Sequence, residues 1–418
     1  MIETKFKDTE VGRIPEDWEL DKLKDKFEFR SNNTLSRDAL SESGIIQDVH
    51  YGDVLIKYGS HLDVQKDEVP YITDKNYKAS VYISDGDVIM ADTAEDETVG
   101  KATEVINVGH HQLVSGLHTM WLHPIVQERY ALGYLGYAFN ANVYHNQLLP
   151  LMQGTKVTSV SKTAVKDTSI LVPPKSEQTR IAKALSNIDT LISELGNLIE
   201  KKRAIKQGAI QQLLSGKKRL KGFAEPWIEK KLGEIGVLTK QSVNPQMFPS
   251  TLFSEYSMPA FDNGQSPDFK YGNEMFSNRT VIDGETLLYN KLNVRQKRIW
   301  LVKECGQESI CSAEFLAYKS NNINLDLLKY ILSTNRVTKD FIDMSKGTSN
   351  SQKRIQPADF LDYSICYPKS GAEQKAIAFV LSSMDEEISA LEVKQEKYTV
   401  IKQGMMQQLL TGKIRLID

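Results

Sequence analysis

Two stretches of this sequence concentrate side chains able to grip a polyanion. Residues 291–298 read KLNVRQKR, with four basic residues and no acid. Residues 346–354 read KGTSNSQKR, again without an acid and rich in hydroxyl and amide groups. Lysine and arginine neutralise phosphates, which gives affinity, while specificity needs donors and acceptors that meet base edges. Arginine and lysine suit guanine, and asparagine and glutamine suit adenine. This chemistry selects Lys291, Arg295, Gln296, Lys297, Arg298, Lys346, Ser349, Asn350, Gln352, Lys353 and Arg354 as candidate nucleic-acid contacts. In the first half, residues 153–162 (QGTKVTSVSK) hold the matching place and offer Lys156, Thr158, Ser159, Ser161 and Lys162. The first-half counterpart of KLNVRQKR is acidic, DTAEDE at 92–97, and cannot clamp a phosphate. A carboxylate there could accept from cytosine N4, although a solvated turn is the simpler reading. Lys101, just after Gly100, could still reach a phosphate.

Other chemistries find weaker support. His110, His111, His118 and His123 are irregularly spaced and show no helical H-x-x-x-H pair, so a metal site is not expected. Cys305, Cys311 and Cys366 form no C-x-x-C motif and read as ordinary thiols of a reducing cytoplasm. No phosphate-binding G-x-x-x-x-G-K-[ST] loop occurs. The stretch Val172-Pro173-Pro174-Lys175 lacks both flanks of an amino-methyltransferase motif, and no nuclease set of acids and lysine stands on a convincing strand.

The elements that must position the basic stretches come from an internal repeat of about 200 residues. Residues 177–214 and 373–410 are near-copies. Both open on Glu-Gln and close on KQG, two residues, QQLL, Ser or Thr, GK, one residue, RL. Apolar residues at Ile181, Leu185, Ile188, Ile192, Leu195 and Ile199 alternate steps of four and three, and Ile377, Leu381, Met384, Ile388 and Leu391 repeat the frame. That spacing predicts a coiled-coil seam on two long helices. Ser176 is the expected N-cap of the first, and Ser370 with Glu373 has capping-box spacing at the second. Gly216 and Gly412 stand where a helix C-cap wants glycine. Gly208 and Gly404, inside the helices, read either as tolerated surface glycines or as points of close approach.

Before each helix lies a region of mixed character that opens on a tryptophan, Trp18 or Trp227, and leaves through DTSILVP or DYSICYP. Short β-like runs fall at 81–83, 87–90, 119–122, 286–289 and 299–302, with helical patches at 127–140 and 325–344. The anchors Gly154-Thr155 and Gly347-Thr348 match, but the sequence between anchors diverges. The first helix leads from the first region to the second, so a paired second helix must run back. The expected fold is α+β: two mixed α/β recognition domains joined by two long antiparallel coiled-coil helices, with a pseudo-twofold internal repeat. The boundaries are 1–172, 173–216, 217–368 and 369–418. A 38-residue helix spans about 57 Å, which places a globular head at either end of a rod.

Composition agrees with a globular, cytoplasmic protein. Of 418 residues, 40% are hydrophobic and 25% charged, with no apolar run long enough for a membrane span and no signal peptide at the N-terminus. The net charge of −2 is unusual for a nucleic-acid binder, so any such surface must be local or completed by a partner.

In its order of variable region, helix, variable region, helix, with the tryptophan openings and the duplicated helix ends, the chain resembles the specificity subunit of a type I restriction–modification system. The resemblance covers essentially the whole chain. It implies two target-recognition domains, each reading one half of a split double-stranded DNA sequence, and no catalysis in this chain. It also implies docking of two methyltransferase subunits, which carry S-adenosylmethionine, and of restriction/translocase subunits, which use ATP and Mg. The QQLL ends match more closely than self-pairing requires, which marks Gln207, Gln211, Gln212, Leu213, Gln403, Gln407, Gln408 and Leu409 as candidate partner contacts. Two other readings stay open: a coiled-coil scaffold with two binding domains not directed at nucleic acid, and a self-contained degenerate nuclease.

Overall fold

The structure is a computed structural model and describes residues 5–154, 156–347 and 352–417. The chain divides into two compact units, Met1–Gly196 with Val393–Asp418, and Asn197–Glu392. Two helices of 39 residues each, Lys175–Leu213 and Gly371–Leu409, contribute one segment to each unit.

In the first unit, the strand after Trp18, Glu19–Lys22, pairs antiparallel with Ser169–Val172, the strand that leads into the first long helix. A five-stranded sheet runs in the order Phe27–Arg30, Thr119–Pro124, Val88–Ala91, Ala102–Ile106, His61–Asp63. Its central strand, Val88–Ala91, is buried at all four positions, which suits its unbroken apolar sequence. The second unit repeats the plan. Trp227–Lys231 pairs antiparallel with Ser364–Pro368, and a four-stranded sheet runs Val237–Leu238, Phe315–Lys319, Thr286–Asn290, Ile299–Val302. The β-like run at 81–83 forms no strand; Val81 is exposed, and the stretch has no alternation to bury one face. The patch at 325–344 is two helices, Leu325–Leu332 and Asn335–Met344, because Thr334 takes an extended conformation and caps the second through Val337 N–H.

Within each unit, the two long-helix segments run antiparallel. In the first, Gln395 Nε2 donates to Ile192 O at 3.1 Å, Lys402 Nζ meets Asp189 Oδ1 at 2.6 Å, and Tyr137 Oη donates to Asp189 Oδ2 at 2.7 Å. In the second, Lys206 pairs with Asp385, and Tyr330 Oη donates to Asp385 Oδ2 at 2.7 Å. The lysine of each KQG motif therefore meets the aspartate twelve residues after Glu177 or Glu373 in the opposing helix. Gly208 and Gly404 face open space within the chain, which favours the surface reading.

The heads of the helices are fixed more strongly. Arg415, two residues beyond Lys413, forks onto Glu177 with Nε–Oε1 and Nη2–Oε2 both at 2.8 Å. Arg219 forks onto Glu373 with both contacts at 2.6 Å. Glu177 is 1% exposed and Glu373 is fully buried. The neighbouring glutamines complete each head. Gln178 accepts from Ala131 N and donates to Pro173 O, and Gln374 accepts from Asn324 N and donates to Pro368 O. Glu373 thus faces Arg219 rather than closing a capping box. Ser176 is not an N-cap: Pro174 O already accepts from Glu177 N and Gln178 N, so the helix starts at Lys175 and Ser176 lies in its first turn. At the far ends the chain leaves the helix at Gly216 and Gly412, each donating to the leucine three residues back.

A buried carboxylate that loses its partner is left charged in a poor solvent, at a cost of about 3–5 kcal/mol. Arg415→Leu should therefore lower the stability of the first unit by about that amount, read as a fall in its urea midpoint. Adding Glu177→Leu should restore most of the loss; a double variant as unstable as the single one would show that the pair is not what holds the helix head.

Candidate nucleic-acid interface

In the second unit, residues 291–298 form the loop between the strands Thr286–Asn290 and Ile299–Val302. Asn290 Oδ1 accepts from Leu292 N and starts the turn. Asn293 and Lys297 then take left-handed backbone angles, φ 51° and 48°, around a short 3-10 turn at Val294–Gln296. Val294 is buried beneath the turn, which leaves Arg295 and Gln296 exposed. Two of the basic side chains are committed within the unit. Lys297 Nζ donates to Asn335 Oδ1 at 2.6 Å, and burial pushes its ammonium below the usual lysine range. Arg298 forks onto Asp262 at 2.7 and 2.5 Å and also donates to Gln296 Oε1.

The second basic stretch lies directly against this loop. Arg354 bridges both Leu292 and Lys346. Its N–H donates to Lys346 O and its carbonyl accepts from Lys346 N, both at 2.9 Å. Asn293 N donates to Lys353 O, and Ile355 N to Lys291 O. Gly347 makes this return possible. Its φ is 155°, and a Cβ would stand 2.9 Å from Gln352 O and Lys353 Cα. The structure thus brings Lys291, Lys346, Lys353 and Arg354 together, with Gln352 exposed beside them. Ser349 and Asn350 lie outside the described residues.

The first unit builds the same frame from different residues. Ser159 stands where Arg354 stands: it exchanges hydrogen bonds with Gln153 at 2.8 and 2.9 Å and pairs with Thr93 across the short ladder Thr93–Ala94 with Thr158–Ser159. Val160 N donates to Asp92 O as Ile355 N does to Lys291 O, and Asp92 N donates to His118 O as Lys291 N does to Glu314 O. Gly154, φ 110°, is the counterpart of Gly347; a Cβ there would lie 2.0 Å from Val157 O. The acidic loop and the polar exit stretch are therefore neighbours, as the two basic stretches are.

This placement separates the first-unit candidates. Lys156 and Ser159 are exposed and Thr158 is half-buried. Ser161 uses its hydroxyl to cap the helix Lys162–Lys166 through Ala164 N–H. Lys162 donates to the carbonyls of Phe29 and Arg30, and burial lowers its pKa. Lys101, counterpart of Arg298, turns inward to Leu55 O, and burial lowers its pKa as well. It is committed to the fold rather than presented to a phosphate.

Two residues at this frame escaped the sequence reading. Glu314 forks onto Arg354 through Nε and Nη2, both at 3.1 Å, and raises the arginine's pKa. His118, considered only as a metal ligand, faces Asp92 with Nδ1–Oδ1 at 3.4 Å. Among the described residues, no group of three or more His, Cys, Asp and Glu side chains could hold a metal. His111 and His123 are taken up by Gln47 and Asp87.

The candidate partner contacts divide by exposure. Gln207, Gln211, Gln212, Gln403 and Gln407 are exposed and Gln408 is half-buried. Leu213 and Leu409 are 5% exposed and belong to the cores of the second and first units. Their duplication reflects packing within the unit, and they do not offer a surface to a partner.

Comparison with known proteins agrees with this construction. Residues 15–206 match the family described as type I restriction modification DNA specificity domain. Over 99% of its length the chain is 26% identical to a protein of Methanocaldococcus jannaschii assigned as the type I restriction enzyme MjaX specificity subunit, covering 97% of that protein. It is 24% identical to the MjaVIII specificity subunit of the same organism, with coverage of 99% and 97%. Its fold is similar to that of the type I restriction–modification S subunit of M. genitalium, with a TM-score of 0.58, 14% identity, and coverage of 94% and 96%. With its opening tryptophans, paired strands and duplicated helices all in place, the chain is similar over nearly its whole length to type I restriction enzyme specificity subunits, and its residues 15–206 match the DNA specificity domain of that system.

Proposed function

We propose that the chain reads a bipartite DNA target, one half-site through the Asp92–Ser159 frame of the first unit and the other through the Lys291–Arg354 frame of the second. The observation that carries this reading is one hydrogen-bonded frame built twice and filled with different side chains: Asp92, Thr93, His118 and Ser159 in one, Lys291, Leu292, Glu314 and Arg354 in the other. A shared frame with unlike polar groups suits two different base sequences. The long helices serve as the spacer between half-sites. Arg295 and Lys156, exposed at loop tips, contact phosphates, while the frame residues face bases.

The reaction belongs to partner subunits. Two methyltransferase subunits supply S-adenosylmethionine chemistry, and restriction/translocase subunits supply ATP- and Mg-dependent chemistry, in the cytoplasm. The exposed glutamines at 207, 211, 212, 403 and 407 are the docking contacts near each helix end. Footprinting of the chain with its methyltransferase subunits tests the whole reading: two protected segments separated by a spacer are expected, and a single continuous site or no protection overturns it.

If Arg295 contacts a phosphate, Arg295→Ala should weaken binding equally on all sequences. It should also reduce the slope of log K against log salt by about one. A change in base preference instead would place Arg295 at a base edge. Removing one heptad from each helix shortens it by about 10 Å. Methylome sequencing should then show the same two half-sites at a changed spacing; an unchanged spacer would remove the helices from that role.

A further inference from the structure

Two arginines beside the Lys291–Arg354 frame are held in forks by carboxylates, and they differ in what the fork leaves over. Arg298 gives Nε and Nη2 to Asp262 and Nη1 to Gln296, and its side chain is 16% exposed. Arg354 gives Nε and Nη2 to Glu314, and its side chain is 42% exposed. A side-on fork uses the Nε hydrogen and one Nη2 hydrogen. The end-on edge, formed by Nη1 and the second Nη2 hydrogen, stays open at Arg354, with no hydrogen-bond partner among the described residues. That edge is a pair of parallel donors, the geometry that meets guanine O6 and N7 in the major groove.

The backbone gives this edge a fixed aim. Arg354 is tied by both its N–H and its carbonyl to Lys346. Glu314 is tied to the same centre, because its carbonyl accepts from Lys291 N while Lys291 O accepts from Ile355 N. Glu314 thus hangs from Lys291 N, and Ile355, the residue after Arg354, hangs from Lys291 O, which holds the two members of the ion pair on one backbone frame. An aimed donor pair loses little entropy on binding. The carboxylate also shapes the choice of ligand. It offsets the long-range attraction of the guanidinium for phosphate but leaves its short-range donors intact. A phosphate clamp gains nothing from such a neighbour, whereas a base reader gains direction.

We infer that Arg354 reads a guanine in the half-site of the Asn197–Glu392 unit and that Glu314 is the positioning residue that aims it. This rests on the reading of the chain as a bipartite DNA-binding subunit. The test is a base-preference profile at every target position, from a randomised site library, for the complex with methyltransferase subunits. Wild type, Arg354→Lys and Glu314→Gln are compared. Lysine keeps the charge but loses the paired donors, and glutamine keeps the shape but loses the second acceptor. Both variants should lose preference for guanine at the same single base pair, by roughly 10- to 100-fold for Arg354→Lys and less for Glu314→Gln. The other half-site and the thermal midpoint should not change. A purely structural role for Glu314 would lower the midpoint without touching one base pair, and would overturn the positioning assignment. Loss at a base other than guanine, or unchanged profiles in both variants on a wild-type bipartite site, would overturn the inference while leaving the bipartite reading intact. A wild-type complex with no bipartite preference would remove that reading, and the inference with it.

Discussion

The structure depends on a buried ion pair used twice. Glu177 and Glu373 begin the long helices, and each is out of water. Burying either carboxylate without a partner would cost several kcal/mol. The compensating guanidinium comes in each unit from six residues past the end of the other helix: Arg415 for Glu177 and Arg219 for Glu373. One contact therefore fixes where one helix begins, where the other ends and in which direction they run. The tryptophans join it, with Arg415 over Trp18 and Arg219 over Trp227 at 5.7 and 5.9 Å. The two copies are not equal. Trp18 Nε1 donates to Glu177 and Asp17 adds a second carboxylate to Arg415, which holds Asp17 below the usual carboxylate range. In the second unit Pro226 stands in place of Asp17, and Trp227 Nε1 is buried without a partner among the described residues.

This arrangement explains why the helix ends vary so little between copies while the regions before them diverge. The Glu-Gln start, the KQG lysine and the final arginine each make a specific side-chain contact outside their own helix, and the glycine after QQLL ends its helix by donating to the leucine three residues back. Loss of the arginine leaves a buried glutamate unpaired. The loops of the proposed reading frame carry a looser demand. Their frame is made by backbone hydrogen bonds and by a glycine with no room for a Cβ, so the side chains projecting from it are free to differ.

That division also marks what could be read from the sequence. The repeat, the long helices, the glycine exits and the opposition of the two helices were legible, because periodic apolar spacing and duplicated caps encode them locally. The two basic stretches and their first-half counterparts were legible as composition. Their juxtaposition was not, since the Arg354 bridge to both Leu292 and Lys346 joins residues more than sixty apart. The inward turn of Lys101 and the burial of Leu213 and Leu409 were equally hidden, because a sequence shows that a side chain is basic or apolar but not which way its backbone aims it. Ser176 misled for a related reason: Pro174 O, two residues earlier, had already taken up the amides a capping serine would serve.

The near-neutral charge of the chain fits the same physics. A DNA reader that relied on phosphate attraction would carry a strong positive excess and would bind any sequence tightly. Here the arginines nearest the proposed base-reading frame are matched by carboxylates, Arg298 by Asp262 and Arg354 by Glu314. Each pair removes long-range attraction and keeps directional donors. On the proposed reading, affinity would come from elsewhere in the assembly and sequence choice from the directional donors of this chain. The balance of −2 is thus compatible with DNA recognition and favours discrimination over strength in the isolated subunit.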